Sequence, residues 1–243
     1  MSTATARSAP SARAKRPPGP RPGRPAAALA EADLRGRILD VAEALFAKHG
    51  FDGVTTRAIA QAAAATTGMI HYYFTTKQAL FDAVFARRAD VVNAERLAAL
   101  SAYERDAGDA VTVEGAIAAF LRPVLAKLAA GDDGWRNYLI LIAQAAHNHE
   151  WGGAVMTRAF DPVVERLIAL IRRALPHAQD ADLYWAYYSL SGALMLALAQ
   201  TDRIDRLSNG VCRAMDVAAL EPRMIAFAAA GFKRVCAAPT QPA

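Results

Sequence analysis

The amino-acid sequence predicts an all-α fold, on three observations. Apolar residues recur every three or four positions from Asp33 almost to the C-terminus, which is the spacing of amphipathic helices. Apolar and polar residues nowhere show the strict alternation of a half-buried strand. The breaks in the helical pattern fall at residues that end helices, such as Gly108, Pro176 and Gly210. With 243 residues, of which 54% are apolar, the chain can bury one large core or two modest ones.

Residues 1–30 form a basic segment that we predict to be a disordered arm, because it is rich in Pro, Ala, Gly and Arg and shows no apolar periodicity. It has no acidic residue, and its basic residues are Arg7, Arg13, Lys15, Arg16, Arg21 and Arg24. The remainder of the chain is close to neutral. Two interpretations stay open: the arm is simply solvated disorder, or its charge attracts DNA phosphates. Its Arg21-Pro-Gly-Arg-Pro sequence loosely resembles minor-groove hooks.

Helix 1 is predicted at about 33–49, where apolar residues such as Ile38 and Phe46 fall at helical spacing and Gly50 supplies the stop. Two short helices follow, at about 56–63 and 68–74. Thr55 is placed to cap the first of these, and Thr66 or Thr67 the second.

A long helix then begins at Lys77. Either Thr75, which forms a capping-box pattern with Gln78, or Thr76 is its cap, and the choice stays open. Further helices are predicted at about 77–104, 111–130, 135–148, 152–175, 180–203 and 216–236. Pro123 and Pro162 fall within or at the start of two of them, where a kink is expected.

Two short capped helices joined by one tight turn predict a helix-turn-helix over residues 55–77. The face that should lock the two helices together consists of Ile59, Ala63, Ile70 and Phe74. The outward face of the second helix consists of Thr67, Gly68, Met69, His71 and Tyr72. That face is small at its N-terminal end, so it can press into a major groove, and the free N–H groups at both helix starts suit phosphate binding.

At this point the chain resembles the TetR family of transcriptional regulators. The residues that carry the resemblance are Ile38, Ala42, Phe46, Gly50, Phe51, Thr55, Ile59, Ala60, Gly68, Ile70, Tyr73, Phe74, Lys77 and Leu80. It implies a DNA-binding domain over 31–80 and a larger ligand-binding and dimerisation domain over 81–243. It also implies a homodimer whose recognition helices enter successive major grooves of operator DNA, with their separation changed by an effector.

Roles in DNA binding follow from the resemblance by position. Thr55 and Thr66 cap helices and face phosphate, Arg57 projects towards the DNA, and Lys77 is a phosphate clamp. Thr67, Gly68 and Met69 are placed for base edges. Two departures stand out: His71 and Tyr72 are in swapped order, and Ala64 replaces the usual turn glycine. A left-handed conformation would cost Ala64 roughly 1 kcal/mol, which argues for a slightly different turn.

The C-terminal half resembles the fatty-acid-responsive branch of the family, so the expected effector is a small, mostly apolar molecule, fatty-acid-like or aromatic. Its pocket should lie between helices. The candidate lining residues are Tyr103, Phe120, Trp135, Tyr138, Leu139, Ile142, His147, Trp151, Met156, Phe160, Tyr184 and Tyr188. Ordinary core packing explains most of these side chains equally well.

The last two long helices are the expected dimer surface, because they carry small residues: Ser189, Gly192, Ala193 and Ala197 on one, and Ala226, Ala229 and Ala230 with Phe232 on the other. No metal or cofactor is expected, since His147 and His149 do not share a helix face. Two cysteines and no long apolar span predict a cytoplasmic protein without a membrane segment.

Three functions are compatible with these features of the sequence. The first is a repressor that a small molecule releases from its operator. The second is an architectural DNA-binding protein whose basic arm supplies affinity and whose C-terminal bundle only dimerises. The third, a helical enzyme, is disfavoured because no nucleophile and base, carboxylate pair or phosphate loop is apparent.

Overall fold

The computed structural model describes residues 24–237, with side chains from Glu31 onwards. This part of the chain is helical, with no strand. The helices are α1 Arg24–His49, α2 Thr56–Ala62, α3 Thr67–Phe74, α4 Lys77–Ala107, α5 Val113–Ala130, α6 Asp133–His147, α7 Gly152–Ala174, α8 Asp180–Leu198, α9 Arg203–Leu207 and α10 Val217–Val235. The all-α prediction is confirmed, and most predicted boundaries lie within three residues of the observed ones.

Two boundaries were predicted wrongly. Helix α1 begins at Arg24, so the last residues of the predicted arm are helical. Pro25 in the first turn and the alanine-rich stretch after it favour this start. The rest of the arm lies outside the described residues.

The second error concerns the helix predicted at 180–203, which ends at Leu198 and is followed by the short helix α9. Gln200 and Asp202 have positive φ angles of 51° and 49°, which a continuing helix cannot adopt. Pro123 and Pro162, in contrast, lie inside α5 and α7 without ending them.

Helices α1 to α3 form a small head, and α5 to α10 form a larger bundle. The long helix α4 belongs to both, since it packs on α1 in the head and on α5 and α7 in the bundle. Helix α10 lies between α5 and α8. No described helix is long and apolar enough to span a membrane.

A buried ion pair fastens the head to α4. Glu43 of α1 is only 2% exposed, and its carboxylate accepts hydrogen bonds from Arg87 at 3.0 Å and from Arg88 at 2.7 and 3.0 Å. Arg87 also donates to the exposed Asp40 at 2.7 Å. Removing one partner of such a pair leaves a buried charge uncompensated, so the α1–α4 contact resists distortion.

Aromatic rings and one amide fasten the head to the rest of the bundle. Trp151, between α6 and α7, lies against Phe51 and Phe81 with ring centroids at 5.4 and 4.8 Å. The Gln144 side chain of α6 donates to the carbonyl of Ala47 at 2.9 Å. The head is therefore packed on α4, α6 and the start of α7.

Candidate nucleic-acid interface and ligand cavity

Helices α2 and α3 form the predicted helix-turn-helix. The four residues expected to lock the two helices together, Ile59, Ala63, Ile70 and Phe74, are all buried. Arg37 of α1 donates from Nε to the carbonyl of Ala63 at 3.2 Å, which holds the turn against the head. The inward face was therefore predicted correctly.

The turn between α2 and α3 keeps a left-handed residue, although alanine stands there. Ala64 has a φ of 50°. Its N–H donates to Gln61 at 3.2 Å, and the N–H of Ala65 donates to Ala60 at 2.9 Å, which is the Schellman pattern that usually ends on glycine. The expectation of a different turn was wrong, because two hydrogen bonds hold the conformation despite the Cβ.

Three threonines cap the helices of this region. The Oγ1 atoms of Thr55, Thr66 and Thr76 accept from backbone N–H groups at 3.1, 3.2 and 3.0 Å. The open choice at α4 is thereby settled in favour of Thr76, and Thr75 is instead the C-terminal cap of α3. Each cap satisfies one N–H and leaves others at the same helix end free to meet a phosphate.

The outward face of α3 is solvent-exposed along its length. Thr67, Gly68, Met69, His71 and Tyr72 are all exposed, and Tyr72 reaches 74%. His71 Nδ1 lies 3.1 Å from the carbonyl of Thr75, so its ring is held at the end of the helix. The face is flat at its N-terminal end and bulky at its C-terminal end.

The two predicted phosphate contacts with basic side chains differ in their surroundings. Arg57 is exposed on α2. Lys77 is half-buried: its Nζ donates to the carbonyls of Phe51 and Val54 at 2.9 and 3.1 Å and lies 4.1 Å from the Phe51 ring centroid. Lys77 therefore ties α4 to the loop before α2, and its contact with phosphate stays a prediction.

A narrow cavity lies at the centre of the bundle, between α4, α5, α6, α7 and α8. Four predicted effector residues line it, namely Phe120, Ile142, Met156 and Phe160. Its volume is about 30 Å³, which is room for one or two water molecules. A larger ligand has to displace part of the lining.

The other eight predicted effector residues lie outside this cavity. Tyr138 and Leu139 are fully buried in the core. Burial raises the pKa of Tyr138, whose hydroxyl has no hydrogen-bond partner among the described residues. Trp135 lies between two cations, Arg88 at 5.0 Å and Lys127 at 4.7 Å from its ring.

The remaining five have structural explanations of their own. The Tyr103 hydroxyl accepts from the N–H of Thr112 at 2.7 Å and so closes the α4–α5 connection. His147 bonds a carbonyl of its own helix, and Trp151 packs against the head, as described above. Tyr184 and Tyr188 are more than half exposed on α8. The aromatic character of a residue therefore did not distinguish residues that line the cavity from residues that pack elsewhere.

Arg96 of α4 is a cavity residue that the sequence analysis missed. It is 4% exposed and lines the cavity together with Tyr187 and Ser191 of α8. Its position in the sequence could have revealed it, because it lies in the apolar stripe of α4, four residues after Val92 and four before Leu100. A charged residue in such a stripe is rare unless it is paired or functional.

A second and wider cavity, of about 550 Å³, opens between α8, α9 and the start of α10. Beside it, α8 and α10 present exposed aromatic side chains, including Trp185 at 66% and Phe227 at 77%. Two residues expected on this face, Ala229 and Phe232, are instead buried inside the subunit, because they lie on the other side of α10.

Comparisons with known families and structures agree with this architecture. The family model described as bacterial regulatory proteins, tetR family, matches residues 38–84. The model described as tetracyclin repressor-like, C-terminal domain, matches residues 118–231. None of the curated proteins compared with the chain matches it.

Solved structures share the fold at low sequence identity. A TetR-like transcriptional regulator from Rhodococcus sp. RHA1 is 20% identical with a TM-score of 0.56, over 82% of this chain and 97% of that one. The fatty acid degradation regulator FadR from Bacillus halodurans is 16% identical with a TM-score of 0.57, over 82% and 95%. A regulator from Mesorhizobium loti is 21% identical with a TM-score of 0.52, over 84% and 97%. With both domains matched in order and the capped helix-turn-helix in place, the chain belongs to the TetR family of DNA-binding transcriptional regulators.

Proposed function

We propose that this regulator is a repressor that a small, mostly apolar effector releases from its operator. Regulators of this family bind operator DNA, respond to small molecules, dimerise and are not enzymes. Release by an effector is supported by one observation, namely that α4 connects the head with the central cavity. This single helix begins at the cap beside α3 and lines the central cavity with Val92 and Arg96.

On DNA, the exposed N-terminal end of α3 reads base edges through Thr67, Gly68 and Met69. Thr55, Thr66 and Arg57 contact phosphates on either side, and His71 and Tyr72 reach the backbone at the far end. Lys77 brings a further positive charge to the same edge. These assignments are supported by the exposure of the side chains and the shape of the α3 face. They are not supported by net charge, because residues 31–80 carry equal numbers of acidic and basic residues.

Charge must then come from elsewhere, and the basic segment at the N-terminus is the source we propose. Deleting residues 1–23 should weaken binding to all DNA sequences and flatten its dependence on salt, while the preference for the operator remains. Loss of all sequence preference in that variant would favour the architectural function instead.

The effector binds in the central cavity and acts on the head through α4. Because Arg87 and Arg88 of α4 hold Glu43 of α1, a shift of α4 carries the head with it. The decisive experiment is selection of bound DNA from a random pool, followed by a screen for compounds that release it. An inverted repeat and a releasing compound are the expected results, and a sequence without two-fold symmetry would contradict a dimeric operator complex.

The dimer forms through the exposed faces of α8 and α10, which stack against the same faces of a second copy as a four-helix bundle. Trp185, Tyr188 and Leu196 on α8 and Phe227 and Val235 on α10 are exposed at helical spacing. Gly192 and Gly231 stand on the same faces with open space above them, so close approach is possible.

Introducing charge into this face tests the interface. Trp185→Glu combined with Phe227→Glu should convert a dimer to a monomer in sedimentation velocity. Val91→Glu, at a residue of α4 that is 46% exposed, is the matched control and should remain dimeric. A dimer that persists in the double variant would place the interface elsewhere.

A further inference from the structure

The charge in the central cavity is the least expected feature of the bundle. Arg96 Nε donates to the carbonyl of Phe120 at 3.0 Å, and its guanidinium lies 3.7 Å from the centroid of the Phe120 ring. The two terminal nitrogens make no hydrogen bond to any described residue, and the side chain borders the cavity. Two strong donors are therefore left without a protein partner in a residue that borders the cavity.

No acidic residue of the described chain pairs with Arg96. The contrast with Arg87 and Arg88 is direct, because both of those guanidinium groups share Glu43. Burial lowers the pKa of Arg96 to about 10, so the side chain still carries its charge at neutral pH. An unpaired buried cation is unfavourable for folding, which points to a use in binding.

The rest of the lining decides what kind of anion fits. Arg96 is the only charged side chain among the lining residues, so one negative charge balances the site. The planar fork of a guanidinium matches the two oxygens of a carboxylate. Tyr187 and Ser191 add hydroxyl groups, and the other lining residues are apolar.

The ligand must also make its own space, because the empty volume is small. Met156 is half-buried at the cavity wall and has a flexible, unbranched side chain that can move aside. An apolar chain or ring can then occupy the position of that side chain, with its charged end at Arg96.

We propose that the effector is an apolar monocarboxylate whose carboxylate pairs with Arg96. The inference rests on the proposed effector-responsive function and narrows its ligand class. The carboxylate accepts hydrogen bonds from the two terminal nitrogens and supplies the counter-charge that Arg96 lacks among the described residues.

The test compares acids with neutral analogues of the same shape. Octanoate is paired with octanol and phenylpropanoate with phenylpropanol, together with longer members of both series. Binding to the full-length protein is measured by calorimetry, and release of the selected operator is measured separately by fluorescence anisotropy. The variants are Arg96→Met, which removes the charge, and Arg96→Lys, which keeps the charge without the fork. Arg122→Met, at an exposed arginine of α5, is the control for loss of a charge.

At least one acid should bind the wild type ten times more tightly than its alcohol, which corresponds to about 1.4 kcal/mol. Arg96→Met should abolish that preference, Arg96→Lys should retain part of it, and Arg122→Met should leave it intact. The proposal is overturned if no acid is preferred to its alcohol, or if the preference survives in Arg96→Met.

The two proposals fail in different ways. If alcohols release the operator as well as acids do, with or without Arg96, the carboxylate inference is wrong and the effector-released repressor stands. If acids bind through Arg96 but leave operator affinity unchanged, the proposed carboxylate site is supported. The proposal that this ligand releases the operator is then wrong. Circular dichroism of each variant checks that a lost preference for acids over alcohols is not caused by loss of folding.

Discussion

Replacing Gly68 by alanine separates what α3 needs for folding from what it needs for DNA. Gly68 is the second residue of α3 and is exposed. A Cβ built there would have the Thr66 hydroxyl as its nearest neighbour, at 3.7 Å, which is ordinary van der Waals contact. The added methyl group therefore fits the free protein without strain.

The expected change in stability is small and favourable. Alanine is preferred to glycine inside a helix by about 0.5–1 kcal/mol, and less than this in a first turn. The midpoint of thermal unfolding should rise by no more than about 2–4 °C for a chain of this size. In the proposed complex with DNA, the same methyl group would occupy space that the backbone of α3 needs at the base edges. The loss should be comparable to that of a mismatched base pair, about 1–3 kcal/mol, or roughly fivefold to 150-fold in affinity.

The assay pairs thermal unfolding with anisotropy titration of the selected operator. Gly153→Ala is the matched control, because Gly153 is the exposed second residue of α7 and a Cβ there meets nothing within 4 Å. It should gain the same helix stability and leave operator affinity unchanged. If Gly68→Ala binds the operator as tightly as the wild type does, the close approach of α3 to DNA is refuted. If the variant is less stable than the wild type, impaired folding explains its weaker binding.

Three further changes, with one exposed control, test the strained turn and the buried charges. Ala64→Gly should raise the free energy of unfolding by up to about 1 kcal/mol in chemical denaturation, because glycine accepts the left-handed turn without strain; a decrease would contradict the strain assigned to Ala64. Glu43→Gln should destabilise the protein by about 2–3 kcal/mol, because two partly buried guanidinium groups lose the carboxylate that they share. Asp40→Asn removes the exposed partner of Arg87 and should lower the free energy of unfolding by less than about 1 kcal/mol. If the two variants lose equal stability, the burial of Glu43 does not explain its effect. Arg96→Met should stabilise the ligand-free protein by about 1 kcal/mol or more, and a lower unfolding midpoint would show that the charge is already compensated.

The helix-turn-helix was predictable because its determinants are local in sequence. Thr55 and Thr66 stand where a cap is required, and Ile59 and Ile70 fall on the inward face by helical periodicity alone. The course of the turn at Ala64 was harder to predict. Residue type argues against a positive φ there, and only the hydrogen bonds around it show why the conformation persists.

The cavity was predictable only in part. Phe120 and Phe160 were chosen as aromatic residues of the bundle and do line it, but Trp135 and Trp151 were chosen on the same ground and lie elsewhere. Which face of each helix meets the centre depends on how five helices pack, and a single sequence does not contain that information in readable form. The more selective signal was Arg96, because burial of a charge is rare whereas burial of an aromatic ring is not.

The buried carboxylate of Glu43 has a geometric consequence for signalling. With the head clamped to α4, the segment from Lys77 to Arg96 is a rigid arm about 28 Å long. A tilt of about six degrees around Arg96 would displace the head by about 3 Å. In a two-fold symmetric pair, opposite displacements change the distance between the heads by about 6 Å, close to the rise of two base pairs. A small ligand bound in the cavity could therefore put two recognition helices out of step with successive grooves.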